Sequence, residues 1–277
     1  MIEATNIYVQ REKKQILNHI NLKAKSGAFT IIIGPNGSGK STFVKTLSGE
    51  IPYSGKITLN GYDIRQTKTS EMAKMRAVLP QSTTLVFPFL VHEVVGLGLS
   101  ANQITIAKAE FQNLIQEALE RVDLSDYANL YYHQLSGGEQ ARVQLARVLC
   151  QVWNPIYNGI PRWMILDEPI ASLDIQHQII VMDIAKRFAH SGGGVLAVLH
   201  DLNLAAHYAD NMILLKEGEI YCEGNATNVL TTQNLHDVYH CSLNVSELPK
   251  EDIPFILPQT ASSYEVRFQS YRLQSKN

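Results

Sequence analysis

Residues 34 to 42 read Gly34-Pro35-Asn36-Gly37-Ser38-Gly39-Lys40-Ser41-Thr42, a GxxxxGK[ST] run, and nothing else in the chain restricts its fold as tightly. The five residues before it, Phe29-Thr30-Ile31-Ile32-Ile33, are a β-branched run, and Ser41 to Leu47 is compatible with a helix. Strand, glycine-rich turn and helix, in that order, form a phosphate cradle. Glycines let backbone N–H groups converge on phosphate oxygens, and the helix N-terminus adds a favourable partial charge. Lys40 is then placed to clamp β- and γ-phosphates, and Ser41 to ligate Mg²⁺. A plain glycine-rich turn is the alternative, and the flanking strand and helix weigh against it.

Two further apolar runs, Trp163-Met164-Ile165-Leu166 and Val195-Leu196-Ala197-Val198-Leu199, read as buried strands followed by polar residues. Together with the first they predict a mostly parallel sheet covered by helices, with a site at the strands' carboxyl ends. Asp167 closes the second strand, where its carboxylate can hold Mg²⁺ directly or through water. Glu168 follows and is well sited to orient or deprotonate an attacking water. Alone, Asp167-Glu168-Pro169 is equally an acidic helix start; beside a phosphate loop it reads as catalytic.

At 277 residues the chain is long enough for one large α/β domain or two small ones. Its charged share is 18%, against an ordinary share of about 25%, which points to a compact protein with a large buried or partner-covered surface. The net charge of −2 provides no basic field for a nucleic acid, which is not expected as a partner. Cys150, Cys222 and Cys241 are odd in number and include no CxxC pair, so reduced thiols are expected. No signal-like start and no run of about 18 apolar residues is found, so a soluble chain is expected, with peripheral membrane attachment left open.

The stretch to about residue 30 alternates as an antiparallel β layer does. Residues 82–150 turn helical, with Phe111, Leu114, Ile115, Ala118, Leu119 and Val122 on one face. From Ser246 the chain is rich in Pro, Ser and Gln, with a weak alternation over Tyr264 to Phe268, and reads as an appendage without an assigned role. Leu135-Ser136-Gly137-Gly138-Glu139 contains a capping box, Ser136 with Glu139, opening a helix over Gln140 to Leu149. Capping leaves the two glycines unexplained. Bare N–H groups at a helix start are approachable by an anion, so the segment can be a second phosphate-binding terminus.

In chain order, the phosphate loop, Pro80-Gln81, Leu-Ser-Gly-Gly-Glu, Leu-Asp-Glu-Pro, Ser172-Leu173-Asp174 and a strand-end His200 resemble the nucleotide-binding subunit of an ABC transporter. The resemblance covers about residues 1–245, leaving 246–277 as the appendage. It implies a P-loop NTPase (RecA-like) α/β core with an amino-terminal antiparallel β layer and an inserted α-helical subdomain, binding ATP and Mg²⁺. By that similarity Gln81 reaches Mg²⁺ and the attacking water. Ser136, Gly137, Gly138 and Glu139 form the signature that binds a partner subunit's γ-phosphate. Asp174 is the contact of the D-loop, and His200 the switch histidine on the γ-phosphate. The resemblance also implies a homodimer sandwiching ATP, a membrane permease dimer, a periplasmic or extracellular substrate-binding protein, and a peripheral place on the cytoplasmic face of the inner membrane.

Family members commonly stack an aromatic ring on adenine, and here Arg11 stands at that place with Tyr8 nearby. Arg11 can stack by its guanidinium plane, and Tyr8 belongs equally to a β strand. Arg76 to Ser82 with Val86-Phe87-Pro88-Phe89, Asn154 to Pro161, and Leu196 to Ala206 resemble the haemin-import ATPases among importers of iron chelates and cobalamin. A ferric siderophore or cobalamin as cargo, and a soluble non-transport ABC ATPase, are the alternatives. The apolar run Phe87 to Val91 is either packed within the helical insertion or a groove for a permease helix.

Overall fold

The computed structural model describes residues 1–83, 85–101, 107–249 and 254–260. The chain begins with a hairpin, β1 (Ile2–Arg11) and β2 (Lys14–Ala24). Ile7 and Val9, and Ile20 and Leu22, turn inward and are buried while Tyr8 and Asn21 between them are exposed, as the two-residue period of a strand requires. After β3 (Phe29–Ile33) come the phosphate loop and α1 (Lys40–Leu47). β4 (Ser54–Leu59), β5 (Tyr62–Asp63), α2 (Thr69–Met75) and β6 (Arg76–Leu79) follow. Three helices are then inserted: α3 (Val91–Ala101), α4 (Lys108–Arg121) and α5 (Gly137–Gln151). The small hairpin of β7 (Ile156–Tyr157) and β8 (Ile160–Pro161) leads into β9 (Trp163–Asp167). Next are α6 (Ile175–His190), β10 (Gly194–Val198), α7 (Leu202–Tyr208) and β11 (Asn211–Lys216). β12 (Glu219–Gly224), α8 (Ala226–Val229) and α9 (Thr232–Tyr239) complete the order.

The central sheet has the order β12-β11-β3-β10-β9-β6, parallel except for β12. β3, β9 and β10 are buried at every position, the signature of strands covered on both faces. Alternation sorts their side chains. Ile31 and Ile33 join the core shared with α5, α6 and α7, whereas Ile32 joins Ile7, Ile20, Phe43 and Trp163 in the core under the amino-terminal layer. That layer is a separate antiparallel sheet, β2-β1-β4-β5.

The expected α/β core, β layer and helical block are all present, with sharper limits. The antiparallel layer recruits β4 and β5 from beyond residue 30, and three strands not foreseen, β6, β11 and β12, widen the sheet. The helical block begins at Val91 after an irregular stretch, and its last helix runs from Gly137 to Gln151 rather than from Gln140 to Leu149. Residues 154–161 form the β7–β8 hairpin, turned at Asn158 and Gly159, both at positive φ as a two-residue hairpin turn of this hand needs. The alternation over Tyr264 to Phe268 lies outside the described residues. Among the described residues no helix is long and apolar enough to cross a membrane.

Candidate active site

The loop between β3 and α1 is walled by backbone. A Cβ on Gly34 would lie 2.3 Å from the carbonyl oxygen of Leu215, and one on Gly39 would lie 2.8 Å from Leu17 Cδ2 and 3.1 Å from the oxygen of Ile16. Gly39 also holds φ +102, where a side chain is strained. At Gly37 a Cβ would meet nothing within 4 Å, so the loop's outer side is open. Lys40 is only 5% exposed, and its Nζ donates to the carbonyls of Gly34 (2.8 Å) and Pro35 (2.9 Å). Burial pushes the Lys40 ammonium below its usual pKa, against the pull of Glu168 and Asp167. Ser38 Oγ is buried without a hydrogen-bond partner. A desolvated ammonium, an unsatisfied hydroxyl and a cradle too tight for side chains fit a bound phosphate.

Asp167 ends β9 and is 1% exposed, accepting a hydrogen bond from Ser41 Oγ at 3.2 Å. Burial raises its pKa; the Ser41 bond opposes this, Glu168 adds to it, and Lys45 and Lys40 oppose it. No group of three or more His, Cys, Asp or Glu side chains able to hold a metal occurs among the described residues. One carboxylate and one hydroxyl are nonetheless the donor set of a Mg²⁺ that takes its remaining ligands from phosphates and water. The residues present fit that ion.

Glu168 lies one residue on, at φ +54, a conformation costing a non-glycine residue about 1–2 kcal/mol. Its N–H donates to the carbonyl of Val198 at 3.2 Å, which holds the turn against β10. Its two carboxylate oxygens meet two different residues. Gln81 Nε2 donates to Oε2 at 3.0 Å, and His200 Nε2 lies 2.8 Å from Oε1. Gln81, Glu168 and His200 follow β6, β9 and β10, adjacent parallel strands whose carboxyl ends open on one edge. Each carboxylate oxygen keeps a further acceptor site, so the group can orient a water or take its proton.

Ser136, Gly137, Gly138, Glu139 and Asp174 make a second group. The capping box is complete: Ser136 N–H donates to Glu139 Oε2 at 2.7 Å, Ser136 Oγ to the same oxygen at 2.8 Å, and Glu139 N–H to Ser136 Oγ at 3.4 Å. The bonds from the Ser136 side chain and backbone, opposed by burial and helped by Tyr127, hold the Glu139 carboxyl below its usual range. Nothing lies within 4 Å of a Cβ built on Gly137, whereas one on Gly138 would sit 3.0 Å from the carbonyl of Ser172. Asp174 caps α6, accepting from His177 N–H at 3.0 Å. Among the described residues no hydrogen bond joins this group to the Lys40–Asp167–Glu168 group.

Two of the sequence features resolve differently from a single reading. Tyr8 sits on the outer face of β1 with its ring 5.9 Å from that of His19, and Arg11 is exposed at the hairpin end; Ile16 and Leu17 of the same hairpin are what touch the phosphate loop. The Phe87–Val91 run divides: Phe87 is 73% exposed and edge-on to Phe89, which packs on the core, and Val91 is fully buried. Residues with no earlier assignment also shape the site. They are Val198, whose carbonyl fixes Glu168, Tyr127 beside Glu139, and His177 beside Asp174. Only His177 had a signal, a polar ring three residues after a helix-capping Asp.

The ABC transporter family matches residues 17–171. A hemin import ATP-binding protein HmuV of Bartonella henselae is 78% identical over 261 residues, 94% of this chain and 98% of that protein. The protein of that name from Mesorhizobium japonicum is 49% identical over 94% of this chain and 99% of its own length. Among solved structures, the dimeric ATP-binding cassette MJ0796 bound to ADP and Pi superposes with a TM-score of 0.71 at 27% identity, over 82% of this chain and 99% of that one.

Proposed function

Because the chain belongs to the ABC transporter family, as the ATP-binding and ATP-hydrolysing subunit of an importer, we propose that it drives the import of haemin through a separate membrane permease. The convergence of Gln81 and His200 on the carboxylate of Glu168, beside a phosphate loop, is the observation that carries the catalytic part. Lys40 exchanges the carbonyls of Gly34 and Pro35 for the β- and γ-phosphates, cradled by the backbone from Gly34 to Thr42. Ser41 and Asp167, with Gln81, would hold Mg²⁺, which when bound neutralises phosphate charge. Glu168 takes the proton of the attacking water as the bond between the γ-phosphorus and its bridging oxygen breaks, giving ADP and phosphate. His200 fixes the Glu168 carboxylate and reaches toward the γ-phosphate.

Two copies share each ATP. The signature, Ser136 to Glu139, of one copy closes on the γ-phosphate held by Lys40 of the other, with Asp174 at the junction. The lack of any hydrogen bond between the two residue groups among the described residues supports this arrangement, as does the dimeric state of the similar cassette MJ0796. The exposed Val86 and Phe87 lie shortly after Gln81 and suit an apolar permease segment. Attachment to the cytoplasmic face of the inner membrane then comes from the permease, which receives cargo from a substrate-binding protein. Residues 1–245 form the ATP-binding domain, and 246–277 an appendage to it.

Haemin as cargo is supported by the names of the similar proteins. The test is uptake into proteoliposomes containing the chain together with a haemin permease and its binding protein. ATP-dependent accumulation of haemin, but not of a ferric siderophore or cobalamin, is expected. Uptake of either of those in place of haemin would contradict the cargo, and ATP turnover with no permease association would contradict the transport role.

A further inference from the structure

His177 occupies a place that helix capping does not explain. Asp174 already caps α6 through the His177 backbone N–H, yet the imidazole also turns back, with Nδ1 2.8 and 2.9 Å from the two Asp174 carboxylate oxygens. The other ring nitrogen, Nε2, is buried, has no hydrogen-bond partner, and lies 3.5 Å from Oδ2 of Asp123. Asp123 belongs to the inserted subdomain, just beyond α4, at φ +57. Its carbonyl and that of Val122 accept from Arg142 Nη1 at 2.9 and 2.8 Å, and Arg142 is on α5, the helix that the signature opens. The start of that helix is itself against the D-loop, since a Cβ on Gly138 would lie 3.0 Å from Ser172 O.

We propose that His177 is a positioning residue for ATP hydrolysis: it clamps the Asp174 carboxylate and ties the D-loop to the inserted helical subdomain through Asp123. With a hydrogen on Nδ1 alone the ring serves Asp174 and turns a buried lone pair toward Asp123; with hydrogens on both nitrogens it bridges the two carboxylates. The ring thereby makes the D-loop and signature helix one unit, so that closure of one copy on the other brings Asp174 and Ser136 into place together. The backbone and side-chain bonds from His177 are also the main causes holding the Asp174 carboxyl below its usual range. This inference rests on the shared-ATP reading, in which Asp174 meets the partner copy.

The test is the steady-state ATPase of the full-length chain in His177→Ala, His177→Asn, Asp123→Gly and the His177→Ala/Asp123→Gly double variant. Glycine at 123 removes the carboxylate and tolerates the positive φ. Each single variant is expected to lower kcat by about 3- to 10-fold while KM for ATP stays within about 2-fold, in line with the coupling energies of contacting residues. The double variant should be no slower than His177→Ala. His177→Asn keeps a donor toward Asp174 without reaching Asp123, and should match Asp123→Gly. Unchanged kcat, additive losses, or a KM that rises in step would overturn the bridge. If His177→Ala fails to fold, His177→Asn and Asp123→Gly decide the question by the same comparison. Ser136→Arg run alongside separates the two levels: full activity there would sink the shared-ATP reading, whereas additivity at 123 and 177 with Ser136→Arg inactive sinks only the bridge.

Discussion

Asp167 and Lys40 bring opposite charges into nearly water-free surroundings, and neither gains enough from its protein neighbours to offset its desolvation. The folded-state pKa of Asp167 is raised, so the folded chain binds that proton more tightly than the unfolded chain does. The stabilising contribution is complete below the ordinary Asp range and is lost as pH rises through the raised value. Asn at this position keeps the acceptor for Ser41 Oγ and removes the charge. Asp167→Asn is therefore expected to raise the Tm of the nucleotide-free chain by a few degrees at neutral pH. That gain should shrink as pH falls toward the ordinary Asp range, and Mg²⁺-dependent hydrolysis should be lost. Calorimetry at both pH values checks it, and a Tm gain that is the same at both would contradict the assignment. A site residue that weakens the fold it belongs to is the expected compromise between stability and function.

At the scale of elements, the closest helix packing in the inserted subdomain is α3 on α5, and Gly98 permits it. A Cβ there would come within 2.0 Å of the carbonyl oxygen of Arg147 on α5. Backbone cannot move aside as a side chain can, so Gly98→Ala must push the two helices apart. Overpacking of this kind costs about 1–3 kcal/mol, to be read as a lower urea midpoint at unchanged slope. Because α5 begins at the signature, kcat should fall as well, and a variant with wild-type midpoint and turnover would contradict the packing. Elements were legible where sequence and environment agreed. Phe29–Ile33, apart from Thr30, and Trp163–Leu166 are apolar because helices and a second sheet cover both faces. Met212 to Leu215 is an equally buried run of strand length, but period alone does not separate a short apolar run from a piece of buried helix. Arg76 to Leu79 is too short and too mixed to announce β6, and becomes a strand by pairing with β9.

Over the whole molecule, the legible part of the site is the part written in contiguous residues. Gly34 to Thr42, Asp167-Glu168 and Ser136 to Glu139 each carry their chemistry within a short window. Gln81 and His200 have no such window, and their places came from motif order. That both meet the Glu168 carboxylate is a product of adjacent strands β6, β9 and β10 ending on one edge. His177 had a local signal beside Asp174, but its pairing with Asp123 was not legible, since only tertiary packing of α6 against the end of α4 brings the two together. The largest inference concerns what one chain leaves incomplete. Among the described residues no hydrogen bond joins the signature group to the phosphate-loop group, and the proposed dimer pairs each group with the other copy's.

The measurement that tests this most directly is the mass of Glu168→Gln in solution with and without Mg·ATP. The amide keeps the size and hydrogen bonding of Glu168 but loses the base, so ATP stays bound and unhydrolysed. Light scattering is expected to show a shift from the 31.0 kDa of one chain to twice that mass, with two ATP retained per dimer. Adding Ser136→Arg or Lys40→Ala to the same chain should abolish the shift. A Glu168→Gln chain that binds ATP and stays at the mass of one copy, or that hydrolyses ATP at the wild-type rate, would contradict the account.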